Sequence, residues 1–510
     1  MNAQELAAPS APRATRREWV GLAVLALPCV LYSMDLTVLN LAVPRLAEDL
    51  KPSAAQLLWI VDIYGFLLAG ALITMGTLGD RIGRRRLLMI GATVFGIVSV
   101  LAAFAPSARL LIAARALLGL AAATLAPSTL SLIRNMFLDG QQRTLAIGIW
   151  GASFSAGAAI GPLVGGILLD HFWWGSVFLA SVPVMALLLI LAPRLLPEFR
   201  DPQCGRMDIP SAALSLAAIL SVIYGIKRIS ETLTFSFEPA AFIALGVALA
   251  VAFVRRQQRL ADPLIDLRMF RIRALRASLS INIIGLFAAF GFFMLIAQYF
   301  QLALGMGPLE AGLRSAPSGP AFIFGSLLTP ALANRVRPAN VLVGAFLLAA
   351  VGLVVIAYAV VHPSMAVFIT GYVAFCIGIA PMGTLTTDIV MSSAPPQRAG
   401  AASGISETSF ELGGALGIAL LGSFVTALYR SATIGMAPIA NVDITPAKET
   451  LAGAVAVARD LPPEIGGPLL EVARQAFIGA FTQAAYVAAA FCVVAAFLSL
   501  AFLRRPSVAS

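Results

Sequence analysis

The sequence predicts an all-α polytopic membrane protein with 14 transmembrane helices in a 6+2+6 arrangement, both termini cytoplasmic. Three observations predict it. The chain has 510 residues, 59% of them hydrophobic and 12% charged, where a soluble domain carries roughly 25% charged residues. Its apolar residues gather into about fourteen runs, each near the about 20 residues that a helix needs to cross a hydrocarbon core about 30 Å thick. Backbone groups in lipid must be satisfied internally, so these runs are helices and not open strands. The arginines fall in segments on one side of alternate runs, which sets the orientation.

Residues 1–18, rich in Ala, Pro and Arg, read as a disordered cytoplasmic N-terminus. The first run, 19–44, is longer than a signal-peptide core and lacks a small-residue cleavage site, so it is a retained helix anchored by Trp19. With runs at 56–79, 87–105, 109–133, 144–169 and 174–196 it makes an N-terminal six-helix bundle, 19–196. Runs at 208–228 and 238–254 form a two-helix insertion, 208–254, followed by a basic cytoplasmic linker, 255–275. Runs at 276–300, 309–333, 339–361, 364–392, 399–428 and 477–503 make the C-terminal bundle, 276–503. The stretch 429–476 is too long for a structureless loop. It holds two short amphipathic segments broken at Leu461-Pro462-Pro463, and predicts an extracytoplasmic helical hairpin on or dipping into the outer interface.

"RIGRRR" (81–86), the linker, "RVR" (335–337) and Arg504 with Arg505 all face one side if the N-terminus is inside. The net charge of +10 therefore belongs to cytoplasmic loops of a membrane protein and implies no nucleic acid. Four cysteines and two histidines, His171 and His362, form no metal-spaced or redox pair. "GTLGDRIGRRRLLMIGA" (76–92) is echoed by "TPALANRVRPANVLVGA" (329–345), with Asn334 where Asp80 stands. Repeated bundles with a site at their interface are a common build of secondary transporters.

A carboxylate at mid-membrane costs roughly 2.5–3.5 kcal/mol, yet Asp35, Asp62, Glu407 and Glu411 all lie inside apolar runs, and so does Arg115. They must line a polar interior. Asp35, Asp62 and Arg115 sit at similar depth on three spans and are placed to cluster. Glu407 and Glu411 are four apart and share a helix face. One carboxylate can be neutralised by Arg115, whereas the rest outnumber the cations. Surplus acids bind and release protons and attract cations. Asp388, near the inner end of the twelfth span, reads either as a further site acid or as an interfacial charge. Gly157, Gly161 and Gly165 make a GxxxGxxxG face, followed by Gly166 with Pro162 beside it, suited to close packing and to a rocking interface. Tyr32, Trp59, Tyr64, Trp150, Phe154 and Phe410 offer π-faces to a lipophilic cation, or simply pack the core.

Together these residues resemble the major facilitator superfamily, in its 14-helix drug:proton antiporter branch. "GTLGDRIGRRRLL", with Gly76, Asp80, Arg81, Gly83 and Arg84, matches the superfamily's loop motif after the second span. "LIAARALLGLAAA" resembles its fourth-span arginine motif, with Leu118 where glutamine is usual. "GAAIGPLVGG" resembles its antiporter motif, and "MDLTVLNLAVP" the first-span motif of the branch. "WIVDIYGF" and "ISETSFELGGALGIALLGS" look most like quaternary ammonium and methyl viologen efflux pumps of the QacA and SmvA type. Where some such pumps carry another acid in the tenth span, "SAPSGPAFIFGS" has none. The resemblance implies a multi-pass protein of the bacterial cytoplasmic membrane and not an enzyme. It implies a monomer that needs no cofactor beyond the transmembrane proton gradient, with lipophilic cationic small molecules, protons and membrane lipids as partners. By it Asp35, Arg115, Glu407 and Glu411 serve proton coupling, and Asp62 with both glutamates recognises the cation. A proton-coupled importer of a small nutrient or osmolyte is the alternative.

Overall fold

The computed structural model describes residues 12–200, 208–232, 237–260, 263–436 and 442–503. Within them every regular element is helical. The first helices are α1 (Arg16–Leu50), α2 (Ala54–Ile82), α3 (Arg84–Ala103), α4 (Ala108–Met136) and α5 (Gly140–His171). The sixth span is two consecutive pieces, α6 (Ser176–Leu179) and α7 (Ser181–Leu195). The insertion is α8 (Ile209–Thr232) and α9 (Phe237–Gln257). The remainder is α10 (Arg273–Gln298), α11 (Pro308–Ser315), α12 (Ser318–Ala333), α13 (Pro338–Val361), α14 (Met365–Ser393), α15 (Ala399–Thr433), α16 (Thr445–Glu449), α17 (Leu451–Arg459) and α18 (Pro463–Phe502).

Side chains close the helix starts. Thr15 and Glu18 form a reciprocal capping box on α1, as Ser53 and Gln56 do on α2; Asp139 caps α5. These bonds satisfy N–H groups that a helix start leaves without partners. Thr15 thereby begins α1 at Arg16, three residues inside the segment expected to be disordered; residues 1–11 lie outside the described residues, as do Cys204, Arg504 and Arg505.

Thirteen stretches among the described residues are long and apolar enough to cross a membrane. The expected tenth run, 309–333, is divided: α11 ends at Ser315, and α12 starts after Pro317. Proline lacks the N–H that would continue the helix and clashes with the preceding turn, which is why hydropathy alone overstated this span.

The two halves pack alike. In the first, α1 lies on α5 and α2 on α4; in the second, α10 lies on α15, and α12 on α14. Across the middle, α2 meets α15 and α5 meets α12, so the second and fifth helices of each repeat exchange partners. Of two large apolar clusters, one, with Leu25, Leu118 and Leu130, is built mostly from the first half and draws in Val390, Met391 and Ile405 of the second; the other, with Phe292, Phe346 and Phe481, lies in the second half. α8 and α9 pair with each other, and α8 leans on both α2 and α15. Arg256 clasps their ends by donating two hydrogen bonds to Asp208 at 2.8 and 2.9 Å. Those bonds push the Asp208 carboxyl down to about 2, so the clasp holds at any working pH.

The outer hairpin is corrected in one respect. Its first arm is α16 and α17, but its second arm is no separate helix: α18 starts at Pro463 and runs unbroken for 40 residues. At 1.5 Å per residue that is about 60 Å, roughly twice the hydrocarbon thickness. Tyr429 donates to the Ala447 carbonyl at 2.7 Å and Thr433 to that of Lys448 at 2.8 Å, tying α16 to the end of α15.

Candidate transport site

Near the middle of the bundle, α1, α2, α4, α5 and α15 bring polar side chains together. Arg115 of α4 is wholly buried, and its Nη1 lies 2.5 Å from Asp35 Oδ2 of α1. Its Nε donates to the Ile60 carbonyl at 3.2 Å, while Nη2 has no hydrogen-bond partner among the described residues. The guanidinium sits over the Tyr64 ring, 4.5 Å from the centroid. The Asp35 side chain stays 16% exposed, so this is a pair with one wet member. The expected cluster thus forms between Asp35 and Arg115, with Tyr64 as its third member. Asp62 does not share that face: two residues from Tyr64 on a helix of 3.6 residues per turn, it points the other way. There it is half-buried between Trp59, which is 38% exposed, and Phe66, whose rings meet edge to face at 6.1 Å.

The two glutamates lie on α15. Glu411 accepts a hydrogen bond from the Tyr32 hydroxyl at 2.8 Å, which joins α15 to α1 across the halves. Glu407 is buried, and its Oε1 is unpartnered among the described residues; four positions apart, the two carboxyls share a helix face. No basic side chain forms an ion pair with either among the described residues. Tyr32 meets Phe154 edge to face at 5.4 Å, and Phe154 meets Trp150 at 4.8 Å. Trp150 in turn donates to Thr129 at 3.0 Å. Three of the six aromatic candidates therefore stand in one row beside Glu411. Trp59 stands apart on the open face of α2, and Phe410 packs into the core of the second half. Two residues beyond Glu407, Ser409 accepts from Asn282 at 3.2 Å, and Asn282 accepts from Thr386, extending the polar seam to α10 and α14. Sequence reading passed over this network because single amides and hydroxyls do not stand out in an apolar run.

At the end of the molecule holding the α2–α3 turn, the halves are locked. Asp80 and Arg84 are buried, with Arg84 donating to Asp80 at 2.9 and 2.7 Å. The same carboxylate accepts from the backbone N–H of Gly400 at 2.9 Å and of Ala401 at 3.0 Å. It therefore caps the start of α15, where free N–H groups and the helix dipole favour negative charge. Arg84 also donates to the Pro396 carbonyl at 2.7 Å. Gly76 and Gly400 touch backbone to backbone: a methyl on either would run into the other's carbonyl oxygen. Gly83 turns the chain at φ +109°, a conformation open to glycine, and Arg81 lies half-buried beside it. Asn334, the echo of Asp80, is exposed and takes no equivalent role.

Asp388 belongs to this lock. It accepts from Arg143 at 2.7 Å and Thr144 at 2.9 Å, while Arg143 also reaches Ser392 at 2.9 Å. Arg134 donates to the Met391 carbonyl at 3.1 Å. Asp388 thus joins α14 to α5 across the halves, a contact that neither of its two readings named. Arg143 and Arg134 escaped notice because they resemble ordinary helix-end arginines. The glycine face of α5 packs closely, as one of its two readings has it. Gly157 packs on the Val30 backbone and Gly165 on the Val38 side chain, so the face seals α5 to α1 inside one half rather than forming the surface between halves. Gly161 is buried on the same face, Gly166 has open space, and the Pro162 side chain lies outside the described residues.

Residues 25–418 match the family described as Major Facilitator Superfamily. The chain is 44% identical to the multidrug efflux pump LfrA of Mycolicibacterium smegmatis over 98% of each protein. It is 36% identical to the methyl viologen resistance protein SmvA of Salmonella typhimurium, over 91% of this chain and 93% of that one. The tetracenomycin C resistance and export protein of Streptomyces glaucescens is 30% identical, over 96% and 92%. Among solved structures, the human organic anion transporter MFSD10 (TETRAN) superposes with a TM-score of 0.64 over 94% of this chain and 99% of that chain, at 14% identity, a likeness of fold.

Proposed function

This chain belongs to the Major Facilitator Superfamily, and we propose that within it the protein is a proton-coupled exporter of lipophilic cationic drugs, dyes and quaternary ammonium compounds. As a family member it is a transporter and not an enzyme, a multi-pass protein of the cytoplasmic membrane. Drug export is supported by the relatives, named as a multidrug efflux pump and as a methyl viologen resistance protein. Methyl viologen is an organic cation, which suits a site built from acids and aromatic rings.

The observation that carries the proposal is the Glu407–Glu411 pair: one buried and one half-buried carboxyl on one helix face, with one Glu407 oxygen unpartnered and no ion pair to either among the described residues. Two such groups cannot both stay ionised and empty, because desolvation and mutual repulsion disfavour the charge. They hold a proton, or they hold a cation. Cargo and proton thus compete for the same oxygens, which is the requirement for exchange. The Tyr32–Phe154–Trp150 row supplies flat apolar surface beside those oxygens.

α15 links site to lock. Glu411 lies ten residues from Ala401, about 15 Å along one helix, so a shift of α15 driven by cargo at Glu411 acts on the backbone N–H groups that Asp80 caps. With the basic end in the cytoplasm, the observed arrangement is closed inward. Protons arriving from outside discharge the cargo; reopening inward requires the Asp80 and Asp388 contacts to part.

Inverted membrane vesicles with a preformed pH gradient test the reading. Adding ethidium or methyl viologen should dissipate the gradient in vesicles containing the protein and leave control vesicles unchanged. Silence to several organic cations, with dissipation by a small nutrient or osmolyte, would establish the importer instead.

A further inference from the structure

Where α3 begins and α7 ends, a cavity of about 480 Å³ lies along the outside of the bundle. Its wall is one side of α3, with Arg85, Arg86, Met89, Ile90 and Val94, and Glu198 closes one end. The N–H groups that a helix start leaves free are already taken here. That of Arg84 donates to the Phe199 carbonyl at 3.0 Å, and those of Arg85 and Arg86 donate to the two Glu198 oxygens at 3.1 Å each. The Arg85 guanidinium donates to the Leu196 carbonyl at 2.9 Å and to that of Pro193 at 3.3 Å. Its Nε lies 3.6 Å from Glu198, so one carboxylate serves both that charge and the helix start. Arg86 is exposed, and among the described residues its guanidinium has neither hydrogen bond nor ion pair. Two guanidiniums thus face one carboxylate, and a positive charge is left over.

The remaining wall is apolar and turned outward. Ile90 is 46% and Val94 38% exposed, and Ile97 and Leu101 continue the exposed strip along α3. Their spacing puts them on one helix face, and α3 is long and apolar enough to cross a membrane, so that face meets lipid chains. Arg86 and Val94 are about 12 Å apart along the helix. With the basic end in the cytoplasm, the two arginines stand at the head-group level of the inner leaflet. A guanidinium fork matches phosphate oxygens, and basic pockets at this level suit anionic heads. The echoed turn of the second half lacks the feature: after Arg337, α13 opens on Pro338, Ala339 and Asn340. The repeated fold therefore does not require these arginines.

We propose that this cavity binds one anionic phospholipid, its phosphate at Arg86 and Arg85 and a chain along Met89, Ile90 and Val94. A zwitterionic head would bring its ammonium against the surplus positive charge, and a free phosphate would leave the apolar strip uncovered. The lipid steadies the helix start from which Arg84 reaches across to the Pro396 carbonyl in the lock. The inference goes beyond export and does not depend on which cargo is carried.

The test uses the full chain in detergent, freed of lipid, with its own cysteines replaced by serine and a bimane on Ile97→Cys, just beyond the cavity on the exposed strip. Phosphatidylglycerol or phosphatidylcholine with brominated chains is then titrated in, and bimane quenching is followed. Phosphatidylglycerol should reach half-quenching at a concentration at least fivefold lower than phosphatidylcholine. Arg86→Gln should reduce that preference to within twofold, whereas Arg337→Gln, which removes a likewise exposed arginine after α12, should leave it intact. Equal quenching by the two lipids, or a preference that survives Arg86→Gln, would overturn the site. Equal loss in Arg337→Gln would mean diffuse surface charge and would overturn it too. Glycerol 1-phosphate in tenfold excess should leave the preference in place; its loss would mean that a soluble phosphate is the ligand, and would overturn the assignment to lipid.

Discussion

Glu411 is the residue on which most depends, because it is bonded to Tyr32 of the other half and shares its helix face with the buried Glu407. Glu411→Gln keeps the shape and removes the charge, so cation-driven proton movement should fall at least tenfold while expression and heat stability persist; wild-type exchange in that variant would remove the site assignment. Tyr32→Phe loses one hydrogen bond to a charged group, about 1.5–3 kcal/mol, and should weaken cation binding by roughly tenfold to hundredfold, read by dye binding to purified protein. Arg115 poses a different question. Its removal leaves Asp35 in a largely apolar setting, and breaking a buried pair costs about 3–5 kcal/mol. Arg115→Met should therefore lower the melting temperature markedly, and Asp35→Asn in the same chain should restore part of it. A melting temperature unchanged by Arg115→Met would show that water already serves Asp35.

At the scale of helices, the contact of α2 with α15 is the part most exposed to test. Gly400→Ala places a methyl against the Gly76 carbonyl, so the lock should open. A cysteine at Gln397, beside that contact, should then react with a water-soluble maleimide added from the cytoplasmic side several-fold faster than in the parent; an unchanged rate would mean that α15 tolerates the methyl without moving. Much of this layer was legible beforehand. Span positions follow from apolar runs, and the echo of 76–92 in 329–345 pointed to a repeated half, in keeping with the like packing of α2 on α4 and of α12 on α14; which helices meet across the halves was not read. What escaped was set by tertiary contact. The break between α11 and α12 hangs on Pro317, which reads like the prolines that α4 and α14 accommodate internally. The union of hairpin arm and last span in α18 depends on helix continuing past Pro468. Of the site, the acids were legible because charge in an apolar run is costly. Which acids meet was not: Asp62 and Tyr64 differ by two positions and face opposite sides of α2.

For the molecule as a whole, the central claim is that one pair of carboxyls serves proton and cargo in turn, with α15 transmitting occupancy to the lock. Exchange at shared groups has a direct chemical signature, release of protons when a cation binds. Purified protein in weakly buffered detergent solution near neutral pH, mixed with saturating ethidium or dodecyltrimethylammonium and followed with a pH indicator, reports it without any membrane gradient. The account predicts acidification that scales with cation bound and disappears in the Glu407→Gln, Glu411→Gln double variant. Saturable cation binding with no proton released, or equal release from the double variant, would contradict it.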